Sequence, residues 1–171
     1  MEHVILVDEY DNEIGTMEKM EAHQKGLLHR AFSVLIYNSK GELLLQKRAQ
    51  TKYHSGGLWT NTCCSHPYPE ESIFQAAQRK LKQEMGIELE TKFAFKFTYK
   101  TPLDNNLTEH EVDHVLIGLY DGQPKLNPIE AEDWKFEKSE TVKGDMMINP
   151  ERYTYWFKAI LNHPKMKGLR S

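Results

Sequence analysis

One segment decides the fold of this chain, and it runs Glu71-Ser72-Ile73-Phe74-Gln75-Ala76-Ala77-Gln78-Arg79-Lys80-Leu81-Lys82-Gln83-Glu84-Met85-Gly86-Ile87. Its apolar residues recur at spacings of three and four, at Phe74, Ala77, Leu81 and Met85. This spacing predicts an amphipathic helix over 70–85, with Gly86 as its C-terminal stop. The acidic pair Glu70-Glu71 would then begin the helix and complement its dipole.

The segment directly before the helix is Trp59-Thr60-Asn61-Thr62-Cys63-Cys64-Ser65-His66-Pro67. We expect an extended chain over 59–64. In extended backbone Cys64 and His66 point to the same face, because side chains alternate with a period of two. The pair therefore suits a nucleophile, an acid or a metal ligand. The ordinary alternative is a small buried cysteine followed by a histidine in a turn.

The rest of the chain alternates short apolar strands with polar turns and two further helical segments. Helices are predicted over 16–24, with Thr16 as N-cap and Gly26 as stop, and over 149–161, with Pro150 at the first position. A hairpin, a polar loop and several strands complete an α/β (α+β) domain, 1–171, in which helices flank a mixed sheet. The strands are predicted at 4–7, around 14, at 31–37, 42–48, 92–100, 112–120 and 134–137, and the loops at 38–41, 50–57 and 102–106.

Composition restricts the possible functions. The formal net charge is -3 and 39% of the residues are hydrophobic, which is typical of a globular protein without a basic surface for nucleic acid. No apolar run approaches the 18 or so residues that would span a bilayer. The two cysteines are adjacent, and the N-terminus lacks the organisation of a signal peptide. We therefore expect a cytoplasmic protein with no nucleic-acid or membrane partner, acting as a monomer.

Imidazoles and carboxylates form a candidate metal site. Glu109 and Glu111 would share one face of a strand, with His110 and His114 on the other. Two histidines flank the bend at Gly26, and they could meet at one point with His66. The candidate ligands are three imidazoles and two carboxylates, a set that suits Zn²⁺, Mn²⁺ or Fe²⁺: His23, His29, His66, Glu109 and Glu111. Histidines this far apart in sequence are more often ordinary surface residues.

The predicted helix resembles the Nudix box, which reads Gly, five residues, Glu, seven residues, Arg-Glu-apolar-x-Glu-Glu-x-Gly-apolar. The residues that match in register are Glu71, Arg79, Leu81, Glu84, Gly86 and Ile87. Three positions depart from the pattern: Ser65 replaces the first Gly, and Lys80 and Gln83 replace two of the clustered carboxylates. One Glu can still hold Mg²⁺ together with substrate phosphates, so the helix could bind a diphosphate without cleaving it.

Several further motifs occur in the same order as in the type I isopentenyl-diphosphate isomerases, a Nudix-fold family that this chain resembles from residue 2 to about 159. They are Glu18-Lys19, Ala22-His23, Leu28-His29, Arg48-Ala49, the cysteine–histidine segment, Tyr99 and Glu109-x-Glu111. The resemblance implies interconversion of isopentenyl and dimethylallyl diphosphate by protonation and deprotonation. It implies that Cys64 and Glu111 face each other across the hydrocarbon and that Tyr99 assists proton delivery.

The resemblance also implies the binding residues. The His/Glu set would hold one divalent ion, Mn²⁺ or Zn²⁺, and Glu84 would hold Mg²⁺ with the substrate's diphosphate. Trp156 would face the carbocation that protonation of the alkene creates. Cation–π attraction to such a charge is worth about 2 kcal/mol when the site is desolvated. Phosphate contacts would come from cationic side chains, of which Lys80 replaces the family's arginine and loses its bidentate geometry: Lys19, Arg48, Lys52 and Lys80.

Two alternatives remain open at this point. A Nudix pyrophosphohydrolase would release phosphate, but the loss of clustered carboxylates argues against it. A module that binds a metal or a prenyl diphosphate would bind without turnover, and the presence of both an acid and a base argues against that alternative. Cys63 lies where the family has an apolar residue and is given no role.

Overall fold

The computed structural model describes residues 2–167 and 169. In chain order, the elements within these residues are β1 (His3–Val7), β2 (Glu13–Glu18), α1 (Lys19–Lys25), β3 (His29–Tyr37), β4 (Glu42–Arg48), β5 (Trp59–Thr60), β6 (Cys63–Ser65), α2 (Ile73–Met85), β7 (Lys92–Pro102), β8 (Thr108–Leu119), β9 (Ala131–Lys138), α3 (Ser139–Ile148), a 3-10 helix (Pro150–Arg152), α4 (Tyr155–Leu161) and a second 3-10 helix (Pro164–Met166). No helix in the described ranges is long and apolar enough to cross a bilayer.

Strand β3 is the centre of a mixed sheet. It pairs in parallel with β8 over its full length, from His29 opposite Glu111 to Tyr37 opposite Leu119. Strand β8 pairs in turn with β7, antiparallel. The other neighbours of β3 are β1 and β6, and β4 adjoins it only at Tyr37 opposite Leu43. The predicted hairpin is therefore a turn from which β3 and β4 diverge, and β4 pairs mainly with β9.

The alternation of side chains along β3 separates two cores. Its even-numbered apolar residues pack against α2, whose buried face includes Ala77, Leu81 and Met85. Leu35 and Tyr37 pack instead against α3 and α4. Because the strand is covered on both faces, nearly all of it is buried, and most of its residues are apolar. The predicted class, a mixed sheet flanked by helices, is confirmed.

Helix α2 begins later than the periodicity predicted. Ser72 is its N-cap and forms a capping box with Gln75, so the first turn starts at Ile73. Glu70 precedes the cap with a positive φ of 71°. The prediction that the acidic pair begins the helix is therefore wrong, and Glu71 instead pairs with Arg79 at 2.8 Å. Gly86 ends the helix in the left-handed region, as predicted.

Helix α1 also begins later than predicted. Thr16 lies in β2, where it is paired with Ile5, and Glu18 caps the helix through its carboxylate. Hydrogen bonding to β1 keeps residues 13–18 extended, an effect that local spacing does not reveal. Gly26 ends α1 with a φ of 65°, as predicted.

The predicted helix over 149–161 is interrupted. Pro150–Arg152 form a 3-10 turn, and α4 begins only after Thr154, whose hydroxyl caps it. The interruption occurs where Tyr153 forms a β-bridge with Trp59. Helix α3 was not predicted, because its apolar residues do not follow a clear helical period. The segment over 59–64 is also divided, because β5 pairs with β4 whereas β6 pairs with β3.

Candidate active site

A polar cavity of about 270 Å³ opens where β3, β6, α2, β8 and α4 meet. Its volume is just below the range of about 300–1,000 Å³ that is typical of small-molecule sites. Most of the residues predicted from the sequence line it, whereas His23 and His29 lie fully buried behind its wall. The predicted residues in the lining are Lys19, Arg48, Lys52, Cys64, His66, Lys80, Glu84, Tyr99, Glu109, Glu111 and Trp156.

Four of the five predicted metal ligands converge on one point. The donor atoms of His23, His29, His66 and Glu111 all lie within 4.8 Å of one another, and all four residues are buried. Glu111 Oε2 lies 3.0 Å from His29 Nε2 and 2.8 Å from His66 Nε2. These groups come from chain segments that are far apart in sequence. His29 and Glu111 meet because the pairing of β3 with β8 places them directly opposite each other.

The hydrogen bonds behind the cluster direct the imidazoles towards a cation. His23 Nδ1 lies 2.8 Å from the carbonyl of Lys19, and His29 Nδ1 lies 2.9 Å from the carbonyl of Leu27. A carbonyl accepts the Nδ1 proton, so in the neutral rings Nε2 carries the lone pair that a metal requires. His23 Nε2 is buried without a hydrogen-bond partner. The donor set therefore fits a divalent ion of the Zn²⁺ or Mn²⁺ kind.

The fifth predicted ligand, Glu109, belongs to a second, overlapping group. Its carboxylate groups with His23 and with His54, a histidine that the sequence analysis did not select. Glu109 Oε2 lies 3.5 Å from His54 Nε2 and 4.0 Å from His23 Nε2. The expected single set of five is thus divided, because Glu109 points towards the loop that precedes β5.

Tyr99 connects the two carboxylates. Its hydroxyl donates to Glu109 Oε1 at 2.5 Å and to Glu111 Oε1 at 2.9 Å. Burial and the neighbouring Glu111 carboxylate raise the pKa of Glu109. Burial alone would raise the pKa of Glu111 as well, but contacts with His66 and His29 outweigh it and lower that pKa. Glu111 is therefore ionised at neutral pH.

Burial favours the neutral form of three imidazoles at the site, those of His23, His54 and His66. It lowers the pKa of His66 to about 4 and that of His54 to about 2, and it also lowers the pKa of His23. In each case desolvation of the charged ring is the largest cause. Neutral rings can bind a metal without first losing a proton.

Cys64 is a protonated thiol in the cavity wall. Burial raises its pKa, and the nearby Arg48 only partly offsets this effect. Arg48 Nη1 lies 4.0 Å from the Cys64 sulfur, and its guanidinium lies 5.3 Å from the Trp156 ring. Cys64 and His66 both line the cavity, together with Ser65 between them, so lining alone does not separate the two faces of this strand. A thiol held in its protonated form is suited to donate a proton and poorly suited to act as a nucleophile.

Cationic side chains line the cavity, and three of them are paired with carboxylates. Lys19 lies 2.5 Å from Glu2, and Lys52 lies 2.5 Å from Glu130. Lys80 lies 3.1 Å from Glu84, one turn along α2. Burial alone would lower the pKa of Lys80, but the carboxylates of Glu84 and Glu130 outweigh it and raise that pKa. Lys80 therefore carries a full charge inside the cavity.

Glu84 has contacts that the sequence did not indicate. Its Oε1 accepts a hydrogen bond from Gln46 at 3.2 Å and one from the Cys63 thiol at 3.4 Å. Cys63 points away from Cys64, into the core beneath α2, because neighbouring strand residues face opposite sides. The residue that was given no role therefore helps to fix the orientation of this carboxylate.

Asn61 is a second residue that sequence analysis did not select. It is fully buried, and it joins the segment before Cys64 to Trp156. A fully buried asparagine leaves no periodic signal, and only its hydrogen bonds reveal its importance.

His110 and His114 lie on the opposite side of β8 from the carboxylates, as predicted: His110 contacts the carbonyl of Gly26, and His114 contacts Asp11.

Comparison with known proteins identifies the family. A NUDIX domain model matches residues 27–157. Isopentenyl-diphosphate Delta-isomerase 2 of Aromatoleum aromaticum is 52% identical over 161 residues, which cover 94% of this chain and 85% of that protein. Isopentenyl-diphosphate Delta-isomerase of Pectobacterium atrosepticum is 51% identical over 155 residues, which cover 91% and 87%.

Solved structures show the same fold at low sequence identity. DR0079 from Deinococcus radiodurans superimposes with a TM-score of 0.75 at 17% identity, covering 94% of this chain and 97% of that one. The MutT protein from Methanosarcina mazei superimposes with a TM-score of 0.66 at 20% identity, covering 78% and 90%. The fold, the family model and the extent of sequence identity agree with the resemblance carried by the motifs: this chain belongs to the isopentenyl-diphosphate Delta-isomerase family of the Nudix superfamily.

Proposed function

We propose that this chain is an isopentenyl-diphosphate Delta-isomerase that interconverts isopentenyl and dimethylallyl diphosphate. The observation that carries the proposal is one cavity lined by a protonated thiol, an ionised carboxylate, an indole and several cations. These are the groups that an allylic proton shift of a diphosphate ester requires. In addition, relatives that are 52% and 51% identical to this chain bear the name isopentenyl-diphosphate Delta-isomerase.

In the proposed reaction Cys64 donates its proton to C4 of the alkene, which forms a C–H bond and leaves a tertiary cation at C3. Glu111 then removes a proton from C2, and that electron pair becomes the new double bond. Trp156 is 2% exposed and lines the same cavity, so its ring can stabilise the cation there. Tyr99 is proposed to assist proton delivery, and the hydrogen bond that it donates to Glu111 also helps to orient that carboxylate.

The diphosphate is proposed to bind at the end of the cavity that carries Lys19, Arg48, Lys52 and Lys80. Lys80 is buried beside Glu84, which we propose holds Mg²⁺ together with the phosphate oxygens. His23, His29, His66, Glu109 and Glu111 are proposed to hold the second ion, Mn²⁺ or Zn²⁺. When bound, that ion supplies positive charge that fixes the Glu111 carboxylate and tunes its basicity.

We also propose that residues 1–171 form one isomerase domain that acts as a cytoplasmic monomer on a small prenyl diphosphate. The dispersed charge of the chain, with a net value of -3, supports the absence of a nucleic-acid partner.

The test is incubation with isopentenyl diphosphate and Mg²⁺ in deuterated water, followed by mass analysis of the product. Cys64→Ala and Glu111→Gln should each lower turnover about 10²–10⁴-fold, the usual contribution of one general acid or base. Glu140→Gln, on the exposed face of α3, is the matched control and should behave as the wild type. Release of phosphate without an isomer would instead indicate a hydrolase, and near-normal turnover by Cys64→Ala would refute its role as acid.

A further inference from the structure

The loop between β4 and β5 places one more histidine at the metal cluster. His54 is 2% exposed, and its Nε2 lies 3.5 Å from Glu109 Oε2. Its ring stacks on that of His23, with centroids 5.9 Å apart and planes 29° apart. The sequence predicts only a polar loop over 50–57, and nothing in its composition indicates that the imidazole of His54 is buried in the site.

The loop holds the His54 ring in a defined direction. Arg48 Nη2 donates to the carbonyl of His54 at 3.1 Å, which fixes the backbone. On the ring, Nδ1 lies 2.9 Å from Ser55 Oγ, so Nε2 is the nitrogen that faces Glu109. The turn is too tight for a side chain at Gly56, where a Cβ would lie 2.5 Å from the carbonyl oxygen of Gln50. These contacts fix Nε2 in place towards the cluster.

The unpartnered nitrogen of His23 points to a ligand in the same place. His23 is fully buried, its Nε2 has no hydrogen-bond partner, and it lies 4.0 Å from Glu109 Oε2. The donor atoms of His23, His54 and Glu109 are all within 4.8 Å of one another. Leaving a buried nitrogen unsatisfied is costly, whereas a cation between the three donors would satisfy all of them.

We propose that His54 is a further ligand of the metal centre, bound through Nε2 beside Glu109. The inference rests on the proposed function, because it extends the metal site proposed there from five protein ligands to six. The competing explanation is that His54 only packs, since its ring also meets the edge of Trp156 at 5.7 Å and of Tyr53 at 4.4 Å. A packing role and a ligand role predict different effects of an apolar residue of similar size.

The experiment measures Zn²⁺ affinity of the full-length protein by competition with a chromogenic chelator, and the absorption spectrum of the Co²⁺-loaded protein. The variants are His54→Ala and His54→Leu, of which the second fills most of the space without offering a donor. His29→Ala removes a ligand of the first group, and His163→Ala is the matched histidine control, because its ring stacks on Phe95 away from the cluster. Circular dichroism shows that each variant is folded.

If His54 is a ligand, both substitutions should weaken Zn²⁺ binding by at least 10-fold and change the Co²⁺ spectrum, while His163→Ala changes neither. Wild-type affinity and an unchanged spectrum in His54→Leu would overturn the inference while leaving the five-ligand site intact, provided that His29→Ala lowers affinity. If the wild type binds no ion tightly, the proposed metal centre itself fails, and the His54 inference fails with it. The result for His29→Ala therefore separates the two failures.

Discussion

Replacing Asn61 tests how the chain holds Trp156 against the segment that carries Cys64. The Asn61 amide donates to the carbonyls of Val34 at 3.1 Å and Cys63 at 2.8 Å. Its oxygen accepts from Trp156 Nε1 at 3.1 Å and from the Thr60 hydroxyl at 2.8 Å. Asn61 has no exposed surface, so water cannot replace these bonds when the side chain is removed.

The magnitude follows from the hydrogen bonds that Asn61→Ala would remove. Thr60 keeps a partner in Thr154, whose hydroxyl oxygen is 2.8 Å away, so three bonds are lost without such a replacement: one from the indole N–H and two to the carbonyls of Val34 and Cys63, which stay in the β3–β6 ladder. At about 1 kcal/mol for each of these buried hydrogen bonds, the middle of the usual net range, the loss is about 3 kcal/mol. In a protein of this size that corresponds to a decrease of roughly 6–12 °C in melting temperature.

Urea unfolding followed by circular dichroism measures the loss. Asn162→Ala is the control, because its side chain is exposed and donates only to the carbonyl of Lys158, so its effect should stay within about 0.5 kcal/mol. Asn61→Asp keeps the size but cannot donate to the two carbonyls, so it should destabilise despite leaving no cavity. A loss below about 1 kcal/mol for Asn61→Ala would refute the reasoning that this network is essential.

Three further predictions concern α2 and the cavity mouth. Gly86→Ala should lower the free energy of unfolding by about 1–2 kcal/mol in a thermal melt, because φ is 65° and a Cβ would lie 3.0 Å from atoms of Lys125. Its control is Gly144→Ala, in open space within α3, which should raise the free energy of unfolding by about 0.5–1 kcal/mol. Lys80→Ala should raise KM for isopentenyl diphosphate about 10-fold and Lys82→Ala should not, since only the first lines the cavity. Burial would raise the pKa of Glu71, but hydrogen bonds from its arginine partner outweigh it and lower that pKa. The ion pair therefore stabilises the fold above the ordinary value of 4.5 and is lost as pH falls through the lower folded value, so the difference in melting temperature between wild type and Glu71→Gln should vanish at low pH.

Sequence patterns predicted correctly those features that depend on residues near each other in the chain. The helical period around Leu81 and the left-handed stop at Gly86 were both readable, because apolar spacing and a helix C-cap depend on near neighbours. The first residues of the helices were less predictable. Thr16 was expected to cap α1 but is held in a strand by β1, and the residues near Tyr153 leave the helix to pair with Trp59. Such competition comes from segments distant in sequence.

The sequence by itself determined the helix α2 and the alternation that places Glu109 and Glu111 on one side of β8. It also determined the family, since several spaced motifs together are far more specific than any one of them. Tertiary structure alone decided which groups meet. Parallel pairing of β3 with β8 places Glu111 at His29, and the loop after β4 places His54 at Glu109. Distances between residues so far apart in the chain depend on strand register and loop closure, which no local pattern contains.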